Sequence, residues 1–179
     1  FYESLRTEEN LTFSPGIIAG GSDASYNEKT NAITATGKTN IVASDVVVRG
    51  DLRAVSTEQL KKARQIMADI ILQNYPETSA TIDFGDDGYP PMSLTEGNKK
   101  LLDAYSKVSI DLGYGQVTAV PPRNAGAADI SFAADQVEMA LDGLGIAGTG
   151  GHTSKETANL AYLSIDAKRA AVLIARLTK

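Results

Sequence analysis

Apolar residues first recur with a period near two and then shift to a helical spacing, and that change organises the chain. In ENLTFSPGIIAGG (9–21), Leu11 and Phe13 alternate with polar neighbours, Pro15-Gly16 signals a turn, and two glycines close the stretch. A strand and its exit are predicted there. Residues 22–37 are small, polar and turn-rich, which predicts a long hairpin loop. NIVASDVVVRGDLRA (40–54) is the strongest strand signal, β-branched through Val46, Val47 and Val48. Its period of two puts Arg49, Asp51 and Arg53 on one face and Val46, Val48 and Leu52 on the other.

The next stretch, STEQLKKARQIMADIILQNYP (56–76), has Leu60, Ala63, Met67, Ile70 and Ile71 on one helical face. Ser56 and Gln59 form a capping box at its start, and Pro76 prevents continuation. SATIDFGDDGYPPM (79–92) alternates at Ala80, Ile82 and Phe84 and predicts another strand. An amphipathic helix follows, with Leu101, Leu102, Tyr105, Val108 and Leu112 inward and Gly113 as C-cap. Short strands at QVTAV (116–120) and VEMALDGLG (137–145), a short helix at AADISFAA (127–134) and a terminal helix at SIDAKRAAVLIARL (164–177) complete the reading. The first half therefore reads as α+β and the second as an α/β layer, joined near Pro90-Pro91. The opening FYESLRTEEN reads as the last turns of a helix that begins upstream.

Composition changes this picture little. Among 179 residues, 42% are hydrophobic and 22% charged, as in ordinary globular proteins of one or two small domains. The formal charge of −5 argues against a general nucleic-acid surface, and no apolar run approaches the length of a membrane span. Cysteine is absent, so thiolate zinc sites, disulfides and cysteine nucleophiles are excluded.

Candidate chemistry is sparse. GLGIAG (143–148) fits the dinucleotide fingerprint in letters only, because neither a helix nor a βαβ unit follows Gly148. GNKK (97–100) lacks the first glycine of a phosphate loop, and DFGDDG (83–88) lacks EF-hand spacing. His152, the single histidine, ends a segment in which five of the nine preceding residues are glycine. An isolated imidazole is either an ordinary loop side chain or a metal ligand, and zinc needs further ligands beside it. The arginine face of residues 49–53 is either a solvated strand face or an anion clamp, since a guanidinium fork matches a carboxylate.

Four segments, LTFSPGIIAGG, TNIVASDVVVRGDLRA, NAGAADISF and LDGLGIAGTGGHT, together resemble the zinc-dependent exopeptidase family of glutamate carboxypeptidase, aminoacylase and succinyl-diaminopimelate desuccinylase. The similarity is to the glutamate carboxypeptidase branch and runs over nearly the whole chain. It implies an incomplete lid (dimerisation) domain over residues 1–92, lacking its first strand and most of its first helix. Residues 93–179 would then be the C-terminal part of an α/β catalytic domain. By the same resemblance, His152 matches the family's last zinc ligand and Arg53 the lid arginine that holds the substrate's free carboxylate. Asn40 matches an asparagine of the same pocket. Gly126 and Ala127 fall in the glycine-rich turn that approaches substrate, here without its hydroxyl residue. The resemblance further implies two zinc ions, a peptide or N-acyl amino acid substrate and a homodimer through the lid. The other zinc ligands and the catalytic glutamate would belong to the N-terminal half of the catalytic domain, so no catalytic residue falls on this chain.

Overall fold

The computed structural model describes residues 1–85 and 88–179. The chain is a mixed α/β protein of helices and small antiparallel sheets. It divides into two compact units, Phe1–Asp83 and Phe84–Lys179.

In the first unit a single helical turn, α1 (Tyr2–Leu5), precedes β1 (Thr12–Gly21), β2 (Asp23–Asn27), β3 (Ala32–Thr36), β4 (Asp45–Arg53) and α2 (Thr57–Ile71). β1 and β4 pair antiparallel from Thr12↔Arg53 to Gly21↔Asp45. The turn expected at Pro15-Gly16 is instead an irregularity inside β1, where the register shifts between Pro15 and Ile17. A proline has no N–H to give a ladder, and a bulge absorbs that loss without ending the strand.

Residues 22–37 also differ from expectation. They are a second antiparallel pair, with Tyr26 opposite Ile33 and Asn27 opposite Ala32. The Asn27 side-chain oxygen accepts from the backbone N–H groups of Lys29 (3.0 Å) and Thr30 (3.3 Å), closing the turn. Small residues at Ala24, Ala32 and Ala35 hide this alternation in the sequence.

α2 forms as its pattern predicts. Ser56 Oγ accepts from Gln59 N–H at 3.1 Å. The Gln59 side chain reaches back one residue further than a capping box requires, accepting from Val55 N–H at 3.0 Å. Ala63 and Met67 are buried, and so are Leu5 and Leu11.

The second unit holds α3 (Glu96–Asp111), three short 3-10 turns, a two-residue antiparallel pair β5 (Gly148–Thr149) and β6 (Thr157–Ala158), and α4 (Ala161–Leu177). Its core is Tyr105, Val108 and Leu173, with Leu101, Ala104, Leu112 and Val172 packed against them. α3 ends at Gly113 (φ +79°) with the paired bonds of a Schellman motif: Tyr114 N–H to Ser109 O and Gly113 N–H to Ile110 O, both 2.9 Å.

The strands expected at 79–84, 116–120 and 137–145 do not form, so the α/β layer they implied is not built. A strand needs a neighbour to satisfy its backbone groups. Around 116–120 and 137–145, side chains of α3 supply bonds instead. Asn98 accepts from Ala140 N–H (2.8 Å) and donates to Ser93 O (2.9 Å). Ser106 Oγ accepts from Val117 N–H (3.0 Å), and Ser109 Oγ donates to Gly115 O (2.6 Å). The short helix expected at 127–134 is 3-10, over Asp129–Phe132. Asp86 and Asp87 of the acidic run lie outside the described residues.

Candidate functional site

His152 sits in the loop between β5 and β6, exposed, at φ +63°. A non-glycine residue rarely occupies that left-handed region, and such positions concentrate at functional sites. Local bonds impose the conformation. Thr153 N–H and Thr153 Oγ1 both donate to Gly150 O (3.1 and 2.7 Å), and Thr153 Oγ1 accepts from Lys155 N–H at 3.1 Å. Glu156 N–H then closes back onto Thr153 O at 3.1 Å. The hydroxyl of Thr153 thus sets the loop that carries the imidazole.

Beside the loop is an open depression of about 430 Å³, lined by Ile146, Gly148, Thr149, Gly151, Glu156, Thr157 and Ala158. Glu156 is its one ionisable lining residue. The spacing His-x-x-x-Glu was the signal in the sequence that went unread. Among the described residues, no group of three or more His, Asp or Glu side chains could hold a metal ion. Alone, His152 can offer one neutral nitrogen to a metal, and no more.

Gly126 and Ala127 are exposed, between the 3-10 turns Pro122–Asn124 and Asp129–Phe132. The second turn is fixed by Ser131, whose Oγ donates to Ala128 O at 2.7 Å. Tyr89 donates to Asp129 Oδ1 at 2.9 Å, and this bond to a carboxylate holds the Tyr89 phenol above its ordinary range. Nothing lies within 4 Å of a Cβ placed on Gly126, so local packing does not demand glycine there.

Arg53 ends β4 and is exposed, its Nε 2.6 Å from Asp51 Oδ2. Arg49, on the same strand face, lies 4.3 Å from the centre of the Tyr26 ring, a cation–π contact supplied by the β2–β3 pair. Asn40 lies in the turn before β4. β4 runs its whole length between Asn40 and Arg53, and its extended chain covers roughly 26 Å. A strand, and no hairpin, lies between the two.

A further charged cluster escaped the sequence reading. Asp166 and Arg169 of α4 pair at 3.1 Å and are mostly buried. Gly145 backs onto Asp166, and the Arg169 guanidinium also lies 5.5 Å from the centre of the Tyr114 ring. Burial pushes the neighbouring Tyr105 phenol up, Arg169 pulls it back, and Asp166 adds to the rise. The only signal in the sequence was the i, i+3 spacing on an apolar helix.

No helix among the described residues is long and apolar enough to cross a membrane. No family model matches the chain, and no solved structure matches it.

Proposed function

We propose that the chain is the C-terminal part of a dinuclear zinc exopeptidase, hydrolysing an amide bond next to a free carboxylate on a peptide or N-acyl amino acid, C-terminal glutamate being one such end. Residues 1–92 serve as the incomplete lid and dimerisation domain, and residues 93–179 as the C-terminal portion of the catalytic domain. The observation that carries the reading is His152. The one imidazole of the chain is presented to solvent at φ +63° by a glycine-flanked loop whose bonds leave its ring unused. The ordered resemblance of four segments supports the same reading.

In this reading His152 gives one nitrogen to zinc, and Arg53 fixes the terminal carboxylate of the substrate. Asn40, Gly126 and Ala127 contribute to substrate binding. Two zinc ions, held by His152 and by ligands outside this chain, would supply Lewis-acid chemistry, making a bound water more acidic and polarising the scissile carbonyl. The remaining ligands and the glutamate that takes the water's proton come from the N-terminal half of the catalytic domain. The chain alone is inactive, because zinc needs three or four ligands and one imidazole cannot hold it.

The test is His152→Ala in the polypeptide that carries both halves. One of two zinc ions and most of kcat should be lost, with the melting temperature of the zinc-free protein little changed, since alanine removes an exposed side chain. Wild-type zinc stoichiometry in the variant would remove His152 from the ligand set and with it this reading.

The second reading is a non-catalytic dimerisation or interaction module. It is favoured by the apolar side chains left in solvent, among them Ile18, Val46 and Val48 on one face of the β1–β4 pair.

A further inference from the structure

The loop between β5 and β6 runs from Gly150 to Glu156. Its base is tied by the strand pairs Gly148↔Ala158 and Thr149↔Thr157, and by the hydroxyls of Thr149 and Thr157, 3.0 Å apart. At Gly150 the chain turns at φ +71°, so near the returning side that a Cβ there would stand 2.8 Å from Lys155 O. Every residue of the loop is exposed, so packing does not fix its shape and hydrogen bonds must.

Among the described residues, each side-chain hydrogen bond inside the loop passes through one hydroxyl. Thr153 Oγ1 donates to Gly150 O and accepts from Lys155 N–H. His152 lies between Gly150 and Thr153, the two residues so tied, at φ +63°. A left-handed φ is unfavourable for a residue with a Cβ and persists only where its surroundings over-determine it. Here the surroundings are the Thr153 bonds. The imidazole itself makes none of the loop's bonds and is exposed, which suits one nitrogen of a larger metal shell. Metal-bound histidines are commonly oriented by a carboxylate on the other ring nitrogen. Among the described residues no bond joins Glu156 to the imidazole, so orientation comes through the backbone.

We propose that Thr153 is the positioning residue for His152: its hydroxyl holds the left-handed backbone that presents the imidazole, so the ligand is set before a metal arrives. The inference rests on the metallopeptidase reading for the metal. A ligand whose competent conformation is populated roughly a tenth of the time binds about ten times more weakly. Without the hydroxyl, two main-chain bonds, Thr153 N–H to Gly150 O and Glu156 N–H to Thr153 O, are left to hold an unfavourable φ in water. The groups that support a metal ligand are ordinarily worth about 10–100-fold in affinity.

Thr153→Val keeps the side chain's shape and removes the hydroxyl, whereas Thr153→Ser keeps the hydroxyl. In the chain itself, NMR reads the His152 φ from its amide–Hα coupling and the Lys155 amide by hydrogen exchange. Thr153→Val should lose the left-handed coupling and speed Lys155 exchange by several-fold to about 10-fold. Thr153→Ser should keep both. In the polypeptide that carries both halves, zinc titration against a competing chelator should find one ion held about 10–100-fold more weakly in Thr153→Val, and at wild-type affinity in Thr153→Ser. The zinc-free melting temperature should not move; a fall would mean that the hydroxyl supports the unit rather than the ligand, and would overturn the positioning role. Unchanged coupling and exchange in Thr153→Val, or unchanged zinc affinity, would overturn it too. Failure of the metallopeptidase reading looks different, because His152→Ala itself would then keep both ions. If positioning alone fails, His152→Ala loses an ion and Thr153→Val holds two at full affinity.

Discussion

At Gly145 the backbone has φ +137°, and a Cβ placed there would stand 2.5 Å from Asp166 Oδ2. Both facts exclude a side chain, the first through backbone strain and the second through a carboxylate that cannot retreat without leaving Arg169. Gly145→Ala should therefore destabilise the second unit by about 2 kcal/mol or more. An unchanged melting temperature would show that Asp166 is freer than its pairing suggests. His152 is the opposite case: a side chain kept at a φ where glycine would sit more easily, in a loop with little to pack. The glycine count around residue 150 made that position legible in the sequence. The imidazole's lack of local partners is visible only with the loop folded.

At the scale of elements, α3 organises the second unit through polar side chains more than through strand pairing. Asn98→Ala would leave the buried N–H of Ala140 without an acceptor and should cost about 1–3 kcal/mol. Ser56→Ala at the start of α2, where only a cap is lost, should cost about 1 kcal/mol. Chemical denaturation of the two variants checks the order, and a larger loss at Ser56 would contradict it. α3 also meets α4 through Asp111, whose carboxyl is held below its ordinary range by the Arg176 hydrogen bond, with Lys107 assisting and partial burial opposing. A depressed folded-state pKa gives stabilisation that is present above the unfolded value and lost as pH falls through the folded one. Arg176→Ala should raise the Asp111 pKa, read by carboxyl NMR titration, and should flatten the acid limb of stability between those two values. The helices were legible because period, caps and C′ glycine agree, as at Ser56 and Gly113. Three strands were misread because alternation reports a half-buried extended chain, whereas a strand also needs a partner edge. Segments 116–120 and 137–145 are bonded, through Val117 and Ala140 N–H, to the Ser106 and Asn98 side chains, which no period-two pattern can reveal.

At the scale of the whole molecule, the candidate residues fall in two units, with Arg53 and Asn40 in one and His152, Gly126 and Ala127 in the other. Residue types and motif order single them out in the sequence. Their spatial relation is not readable there, because only the placement of β4 shows a strand between Asn40 and Arg53. The last prediction turns on that placement and on the proposed carboxylate clamp. Arg53 is exposed and pairs with Asp51, and an exposed pair of this kind contributes only about 0–1 kcal/mol, so an incoming carboxylate can exchange for Asp51 at little cost. Once water is excluded around the bound substrate, losing one partner of a guanidinium–carboxylate pair costs about 2–5 kcal/mol. In the complete enzyme Arg53→Ala should then lower kcat/KM by roughly 30-fold to several-thousand-fold for free-acid substrates, and little for their amides. Arg49→Ala should matter less, because Arg49 is spent on the Tyr26 ring. Asn40→Ala combined with Arg53→Ala should give additive losses, since β4 lies between them. Equal losses on acids and amides would show that Arg53 does not read the carboxylate. Strong coupling between Asn40 and Arg53 would mean that the two share one pocket.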